Sequence, residues 1–564
     1  MGGSGRTVAA RRPRDAALVV VLLAVAAGAC SRSPAVVGID DTLGPPAAGG
    51  QVTFAAEQEP TGWNNATATD ASLATGLLVD NVYPSAFVQT PELELVMNED
   101  LLVSAEQVSD QPQVVEYRIR DDATWSDGTP ITAADFAYAW RQQNGSDPAT
   151  DVASTLGYDR IASVEGSEED KVVTVTFAQP YGEWRSLFAQ LLAAHVMEAL
   201  PGGWNDGLDG ANLPPFSGGP FALADYVPGE SVRLVRNQAW WGEPPLLDAV
   251  VVRFGIEAGA LPQAMANGEI DVASPSPQID LVRRFAELAP EITSLTDFGL
   301  SYEHLDLNVD NPFLAMPEVR EAIALGLDRS ALVEATIAQV DERAERLDNR
   351  IWLTGQPAYE AHGERYADGD VAGARRLLEE AGFVEGDGGV YHRDGEPLAL
   401  RISTTGGDRL RESTQLVIVE QLADVGIDVT VDNRDGLAVF EKFFPSSGDP
   451  ADRDFDLALF AWSGSPFPSD AAPLYAEGSG QNLMGYANPE VDALFAEALA
   501  ETDSDARDAL YNRIDEVLWD DLPTIPLYTK PILLAARSSV ASVMANPTSR
   551  GPLWNAEEWG LREG

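Results

Sequence analysis

The chain has 564 residues, which is too many for a single hydrophobic core, so two or three domains are expected. With 45% hydrophobic and 22% charged residues, its composition is that of a folded protein and argues against extensive disorder. The formal net charge of −52 argues against nucleic acid as a partner, because phosphates would be repelled. We interpret the excess acid as a solvated surface, with a preference for cationic ligands as the alternative.

The N-terminus predicts export and a lipid anchor. An apolar run at 16–27 follows several arginines and is too short to span a bilayer. Cys30, the only cysteine of the chain, comes directly after Gly28 and Ala29. Small residues before a lone cysteine resemble a bacterial lipobox, in which the cysteine is acylated and becomes the first residue. Residues 1–29 are therefore a predicted lipoprotein signal peptide, and a free thiol in a chance apolar run is the alternative.

The residues after Cys30 predict a tether and then a folded body. Residues 30–50 are rich in Pro, Gly and Ala and have no periodicity, which is typical of a flexible tether. A strand is predicted from residue 51, a turn at 59–64 and a helix over 73–82. No segment after Cys30 contains the run of about 18 apolar residues that a membrane-spanning helix needs.

The stretch 113–140 predicts a strand, a turn and a capped helix. Apolar and charged residues alternate over 115–120, the pattern of a half-buried strand. Turn-forming residues follow at 127–130. Thr132 and Asp135 then have the spacing of a pair that caps the N-terminus of a helix.

The later elements are predicted from the same kinds of signal. Gly382 and Gly426 are expected to end helices, and Asn488 is expected to begin one. The largely apolar run 454–462 predicts a buried strand. The other predicted elements are a strand at 171–177, a helix at 184–194, a helix at 374–383, a helix at 416–422 and a strand at 426–431, and the stretch 521–528 is expected to return to the first domain.

At least five stretches, in order along the chain, resemble signature stretches of the extracellular solute-binding proteins of family 5. The sequence WSDGTPITAADFAYAW at 125–140 carries the closest resemblance. The turn at 59–64, the Gly-Pro-Phe strand and Trp-Trp-Gly turn at 217–242, the stretch 308–329 and the strand at 454–462 complete it. This family contains the oligopeptide- and dipeptide-binding lipoproteins of ATP-driven importers, and the chain resembles an actinobacterial-type member.

The resemblance implies an α/β fold of the periplasmic-binding-protein type. Two lobes of mixed sheets flanked by helices are expected to close on a ligand around a hinge. Lobe I is expected to be discontinuous, and 301–519 is expected to form lobe II. The expected parts of lobe I are 51–72, 196–300 and 520–564, with an inserted extra domain at 73–195.

The resemblance also implies a function without catalysis. An exported lipoprotein would capture a small peptide or another peptide-like, polar oligomeric solute. It would act as a monomer and deliver the solute to ABC permease subunits with cytoplasmic ATPases. The alternative is a regulatory lipoprotein of the same fold that no longer transports and acts in cell-envelope glycolipid or cell-wall synthesis.

No cofactor, metal or catalytic residue is predicted. The four histidines lack the spacing of metal ligands, and the Asp-rich loop at 449–456 lacks the glycine and terminal glutamate of a calcium loop. No nucleophile elbow, phosphate-binding loop or dinucleotide-binding glycine pattern is present. A hydrolase is the remaining alternative, since a catalytic triad can assemble from distant residues.

The predicted ligand site centres on Trp462. In peptide-binding relatives, an aspartate after this tryptophan pairs with the α-ammonium of the peptide, whereas here Ser465 stands at that place and Asp470 lies five residues further on. Ordinary core packing is the alternative for each aromatic residue. The full set of predicted ligand-binding residues is Thr67, Asp70, Tyr158, Tyr302, His304, Ala461, Trp462, Ser463, Ser465, Asp470 and Tyr528.

Overall fold

The computed structural model describes residues 46–167, 169–445 and 452–562. The predicted signal peptide and Cys30 lie outside these ranges. The last five residues of the predicted tether lie inside them, and Pro46–Ala47 pairs with Gly560–Arg562 as a short antiparallel strand. The folded body therefore already includes residues 46–50. None of the helices in these described ranges has the length and hydrophobicity of a bilayer-spanning segment.

A ten-stranded mixed sheet runs through most of the molecule. Both parallel and antiparallel neighbours occur in it, as the predicted α/β fold requires. Its strands, in spatial order, are Asp428–Val431, Ala399–Ser403, Leu457–Ser463, Ile292–Leu307, Thr524–Arg537, Val272–Ala273, Gln51–Ala55, Ala249–Arg253, Ser231–Arg236 and Phe221–Val227. The strands Asp428–Val431, Ala399–Ser403 and Leu457–Ser463 at one end fall in the range predicted for lobe II, and the strands from Val272–Ala273 to Phe221–Val227 at the other end fall in ranges predicted for lobe I.

Two long strands connect these two ends of the sheet, and we call Ile292–Leu307 and Thr524–Arg537 the hinge strands. They pair along their length, but the ladder is interrupted between Phe298 and Tyr302 and again beside Glu303. The first interruption coincides with the predicted boundary between the lobes at residue 300. Because missing ladder bonds leave the backbone freer to bend, this is where we place the hinge.

A separate four-stranded antiparallel sheet lies within the predicted inserted domain. Its strands, in spatial order, are Leu102–Asp110, Gln113–Ile119, Val172–Phe177 and Ile161–Ser167, and a hairpin of Phe87–Gln89 with Leu95–Met97 precedes it. The helix Ala133–Gln143 packs on this sheet and begins with the predicted capping box. Asp135 accepts the N–H of Thr132 at 2.9 Å, and Thr132 accepts the N–H of Ala134 at 3.3 Å.

The predicted helix over 184–194 is wrong. Trp184–Ser186 forms a single 3-10 turn, and the next helix, Ala194–Met197, begins where the prediction ended. Phe188 adopts a left-handed conformation with φ of 57°, which ends any helix there. The apolar residues of this stretch fill the core between the inserted sheet and its surroundings, so packing outweighs local helix preference.

The remaining helices surround the sheets, and the ends predicted at Gly382, Gly426 and Asn488 are confirmed. Gly426 caps its helix with φ of 94°, Gly382 follows its helix with φ of 89°, and Asn488 accepts the N–H of Glu490 at 2.9 Å. The helices are Leu73–Val79, Ala133–Gln143, Ala194–Met197, Gly203–Asp206, Leu261–Ala266, Ile279–Ala286, Pro317–Gly326, Arg329–Ala335, Val371–Glu380, Arg409–Val425, Phe440–Phe443, Ala472–Tyr475, Pro489–Ala500 and Ser504–Asp521.

Candidate solute-binding cleft

A cavity of about 450 Å³ lies where the inserted domain, lobe I and lobe II meet. Phe467 and Asp470 form its lobe II wall, and residues from 65–95, 143–190 and 549–550 form the others. A second cavity of about 100 Å³ shares Phe467 and Asp470 and extends into lobe II. We call the two cavities together the cleft. The larger one has the volume of a typical small-solute site.

The strand Leu457–Ser463 positions the lobe II wall of the cleft. It pairs antiparallel with the first hinge strand, so that Trp462 lies opposite Tyr302. Gly464 ends the strand, and its N–H donates to the carbonyl of Leu300 at 2.6 Å. A Cβ at this position would come within 2.7 Å of that same oxygen, so the close approach requires glycine. The loop that carries Ser465 and Asp470 is thereby directed across the mouth of the smaller cavity.

Trp462, Ser463, Ser465, Asp470 and Tyr302 all line the smaller cavity. The hydroxyl of Ser465 accepts the N–H of Phe467 at 3.1 Å. The carboxyl of Asp470 is exposed to the cleft but crowded by its walls, and this desolvation raises its pKa, while a hydrogen bond from Ser465 partly lowers it. Asp470 is therefore the acidic group that faces both cavities.

His304, Ala461 and Tyr528 support this wall without lining either cavity. His304 is buried beneath Trp462, with the two rings nearly parallel at 6.1 Å, and its Nε2 lies 3.2 Å from Asp306. Ala461 pairs with Glu303 within the sheet. Tyr528 is buried in the core of lobe II, where its hydroxyl lies 3.1 Å from that of Thr414. For these residues the structure shows core packing, the alternative that the sequence left open for the aromatic ones.

On the opposite side, Tyr158 lines the larger cavity, whereas Thr67 and Asp70 shape a buried turn beside it. The hydroxyl of Tyr158 accepts the N–H of Phe188 at 2.8 Å, and burial raises its pKa to about 12. Thr67 donates to the carbonyl of Asn64 at 3.0 Å, and Asp70 accepts the N–H of Asn64 at 3.3 Å. Burial is the main cause of the raised pKa of Asp70.

The inserted domain and lobe II are joined beside the cleft by a contact that we call the clasp, formed by Gly182 and Glu183 with Ser469, Arg507 and Tyr511. Glu183 accepts the N–H of Ser469 at 3.2 Å and the hydroxyl of Tyr511 at 2.9 Å. The hydroxyl of Ser469 donates to the other oxygen of Glu183. Arg507 donates to the carbonyl of Gly182 at 3.0 Å.

The clasp is closely packed, and the hydrogen bonds to its buried glutamate come from neutral donors. A Cβ on Gly182 would lie 1.9 Å from the carbonyl oxygen of Glu501, so only glycine fits there. Glu183 is 5% exposed, and its burial raises its pKa to about 7. Hydrogen bonds from Ser469 and Tyr511 lower that pKa in part, and the nearby charge of Asp470 raises it further.

Among the residues that the structure describes, no group of three or more His, Cys, Asp or Glu side chains is arranged to hold a metal ion. The cleft walls combine aliphatic and aromatic side chains with hydroxyl, amide and a few charged ones. This lining offers hydrogen bonds and ring contacts to a polar solute.

We compared the sequence of the chain with models of known protein families. The chain matches the bacterial extracellular solute-binding proteins, family 5 (middle region), over residues 97–483. It belongs to this family. Family 5 proteins bind peptides or similar solutes outside the cytoplasm and work with ABC permeases. They are substrate-binding proteins, and the two-lobed α/β fold predicted from the sequence is confirmed.

Individual relatives of this family 5 chain carry different names. It is 31% identical over 465 residues to oligopeptide-binding protein OppA of Mycobacterium tuberculosis, covering 81% of this chain and 76% of OppA. It is 30% identical over 454 residues to the probable monoacyl phosphatidylinositol tetramannoside-binding protein LpqW of the same organism, covering 74% and 70%. The solved structure of the periplasmic EDTA-binding protein EppA matches with a TM-score of 0.87 and 30% identity, covering 92% of this chain and 98% of EppA.

Sequence reasoning missed four charged residues that line this family 5 cleft, and it also missed Glu183 of the clasp. The four lining residues are Asp80, Arg185, Arg350 and Arg550. Arg185 lines the larger cavity, and its guanidinium carbon lies 4.3 Å from the ring centroid of Trp184. Arg550 reaches the same cavity from the C-terminal segment. No motif marks these positions, because each acquires its role only from chain segments far away in the sequence.

Proposed function

We propose that this chain is the extracytoplasmic substrate-binding lipoprotein of an ABC importer. It captures a peptide-like or other polar oligomeric solute in the cleft and delivers it to permease subunits that work with cytoplasmic ATPases. It does no chemistry on the solute and acts as a monomer. The observation that supports this proposal most strongly is the cleft itself. It lies between the two predicted lobes, which are connected by the two hinge strands.

The predicted ligand-binding residues of lobe II support this use of the cleft. Trp462, Ser463, Ser465 and Asp470 come together around one wall, which offers a ring face, hydroxyls and one carboxylate. Ser465 stands where the resemblance expects an aspartate, so the solute is one that needs no fixed partner for a peptide α-ammonium. A blocked or modified peptide, a glycan-linked fragment or another polar oligomer meets this condition.

Native mass spectrometry of protein purified from producing cells tests solute capture. We expect a small molecule to be retained by the wild type and lost from Ser154→Trp, because Ser154 is exposed and lines the larger cavity. Ser146→Trp is the matched control, since Ser146 is exposed but does not line the cleft. Equal retention by both variants would show that the molecule is bound elsewhere, and retention of nothing by the wild type would count against solute capture.

The lipid anchor at Cys30 is part of the proposal. Metabolic labelling with a fatty-acid analogue is expected to tag the wild type and to leave Cys30→Ser unlabelled. Equal labelling of both proteins would refute the anchor at this residue, while the fold and the cleft would be unaffected.

A second candidate function is regulation of cell-envelope glycolipid or cell-wall synthesis by a lipoprotein that no longer transports. The similarity to LpqW, whose name describes binding of a phosphatidylinositol mannoside, supports this alternative. Deletion of the gene distinguishes the two functions. Loss of solute uptake with an unchanged envelope supports transport, whereas an altered glycolipid profile with unchanged uptake supports regulation.

A further inference from the structure

We propose that the solute carries a carboxylate group and that Arg185 binds it. This inference rests on the proposed solute-binding function of the cleft and specifies the chemical class of its ligand. Arg185 is exposed and lines the larger cavity, and it belongs to the predicted inserted domain, whereas Asp470 belongs to a loop of predicted lobe II.

The guanidinium of Arg185 is held in place by aromatic rings. Its central carbon lies 4.3 Å from the ring centroid of Trp184 and 5.9 Å from that of Phe87. Trp184 is itself buried and packs edge-on against Phe87 and Tyr117 at 5.6 and 6.0 Å. A ring covers a face of the guanidinium, whereas the N–H donors lie in the guanidinium plane and remain available. The arginine is therefore positioned before a ligand arrives.

No described residue neutralises Arg185. Within 46–167, 169–445 and 452–562, it forms no ion pair and no hydrogen bond. The walls around it lower its pKa, because they remove water from the charged group, and a second cation, Arg507, lies near enough to lower its pKa further. A ligand oxyanion at this place would restore the hydrogen bonds that the walls take away.

The other charges of the larger cavity favour a singly charged carboxylate over a phosphate dianion. Arg550 forms no close ion pair in the described ranges, because its Nε lies 4.0 Å from a carboxylate oxygen of Asp80. Asp80 and Asp470 also line this cavity, so the two arginines face two acids. A second negative charge on the ligand would be repelled by those acids.

Arginine also suits the geometry of a carboxylate. Its planar fork donates two parallel hydrogen bonds to the two oxygens, which a lysine ammonium does not do in the same way. Ser465 stands where an aspartate would bind a ligand ammonium, so the preferred ligand is blocked or uncharged at that end. Elsewhere it carries a carboxylate that reaches Arg185.

Calorimetry with two matched probe sets tests this assignment. The probes are N-acetylated tri- to pentapeptides with a free C-terminal carboxylate and the same peptides with a C-terminal amide. The proteins are the wild type, Arg185→Gln, Arg185→Lys and Arg141→Gln, a control because Arg141 pairs with Glu198 on the surface and lies outside the cleft. Circular dichroism of each variant verifies the fold.

We expect the wild type and Arg141→Gln to bind the acids at least about tenfold more tightly than the amides. Arg185→Gln should lose about ten- to a hundredfold in affinity for the acids and none for the amides. Arg185→Lys should lose less, because it keeps the charge but not the fork.

Two results would overturn the assignment in distinguishable ways. Equal binding of acids and amides, or acid binding that Arg185→Gln leaves unchanged, rejects the carboxylate site and leaves solute binding by the cleft intact. Binding of neither probe set rejects the carboxylate site together with the proposed function as a receptor for peptide-like solutes.

Discussion

Glu183 in the clasp and Glu303 in the first hinge strand are both buried glutamates, but their partners differ. Glu303 lies 2.7 Å from Nε of Arg411 and 3.3 Å from Nζ of Lys530. Burial alone would raise the pKa of Glu303, but these two cations outweigh it and hold the pKa below its usual value. Glu183 receives hydrogen bonds only from neutral donors, so burial dominates and its pKa rises to about 7.

This difference distinguishes the ion pairs of Glu303 in the hinge region from the clasp, which would break when the cleft opens. In the hinge region, Arg411 and Lys530 pair with Glu303 and keep its charge neutralised at neutral pH. The clasp joins the inserted domain to lobe II, so opening the cleft would return Glu183 to water and to an ordinary pKa. Closing the clasp between about pH 4.5 and pH 7 therefore takes up a proton.

The largest effect is expected from breaking the hinge contact with Glu303→Gln. The change removes the buried counter-charge of Lys530 and leaves Arg411 with only Asp408, at 3.9 Å, and breaking a buried ion pair typically costs about 3–5 kcal/mol of unfolding free energy. Urea unfolding at pH 7 measures this loss. Glu198→Gln, which removes an exposed ion pair with Arg141, is the control and should cost less than about 1 kcal/mol. A loss as small as that of the control would contradict the role assigned to Glu303.

Glu183→Gln should change how stability depends on pH. The folded pKa of Glu183 is raised, so the protonated form favours the folded, closed protein, and its contribution is present below about pH 4.5 and lost as pH rises to about 7. The size of this loss is roughly 3 kcal/mol at most. Glutamine keeps an acceptor for Ser469 and Tyr511 but does not titrate.

Unfolding of the wild type and Glu183→Gln at pH 5 and pH 8 measures the effect. The variant should gain relative to the wild type at the higher pH. Glu557, whose pKa is also raised by burial to about 7, contributes equally to both proteins and cancels in the difference. Parallel pH profiles of the two proteins would show that Glu183 stays ionised in the clasp, with Arg507 as its counter-charge.

A smaller effect is expected from adding a carboxylate at the cleft with Ser465→Asp. The wild type should bind di- to pentapeptides with free N-termini weakly, because a charge-assisted hydrogen bond to the ammonium, typically about 1.5–3 kcal/mol, is missing. Ser465→Asp should strengthen this binding by roughly ten- to a hundredfold. Calorimetry with a mixed short-peptide library measures both proteins.

The same library in N-acetylated form is the control for Ser465→Asp. Sub-micromolar binding of free peptides to the wild type that disappears on acetylation would show that another carboxylate holds the ammonium. Asp470 would be that group, since Asp70 is buried in its turn and only Asp470 of the two lines the cleft. Asp470→Asn would then abolish the binding.

Local signals explain what could be predicted from the sequence. Thr132 with Asp135, Gly426 and Asn488 each act within a few residues of their own position, so their roles could be recognised without the fold. The two-lobed architecture was predicted from the resemblance of several stretches, in order along the chain, to family 5 proteins. The helix expected at 184–194 failed because burial on every side, rather than local preference, determines that stretch.

Long-range contacts explain what could not be predicted. The clasp brings Glu183 to residues 286 and 328 positions away, and nothing near Glu183 in the sequence indicates them. Arg185 becomes a cleft residue only because the chain before it lies against lobe II. Conversely, Tyr528 and His304 were expected in the cleft from their positions, but neighbouring strands enclose their side chains.

Small-angle X-ray scattering tests solute-dependent closure around the hinge most directly. The solute is the molecule retained in native mass spectrometry or, failing that, the tightest N-acetylated peptide. Adding it should decrease the radius of gyration, and stability should rise by about 2.7 kcal/mol at a hundredfold excess over Kd. A solute that raises the melting temperature and leaves the radius of gyration unchanged would contradict closure of the two lobes on their ligand.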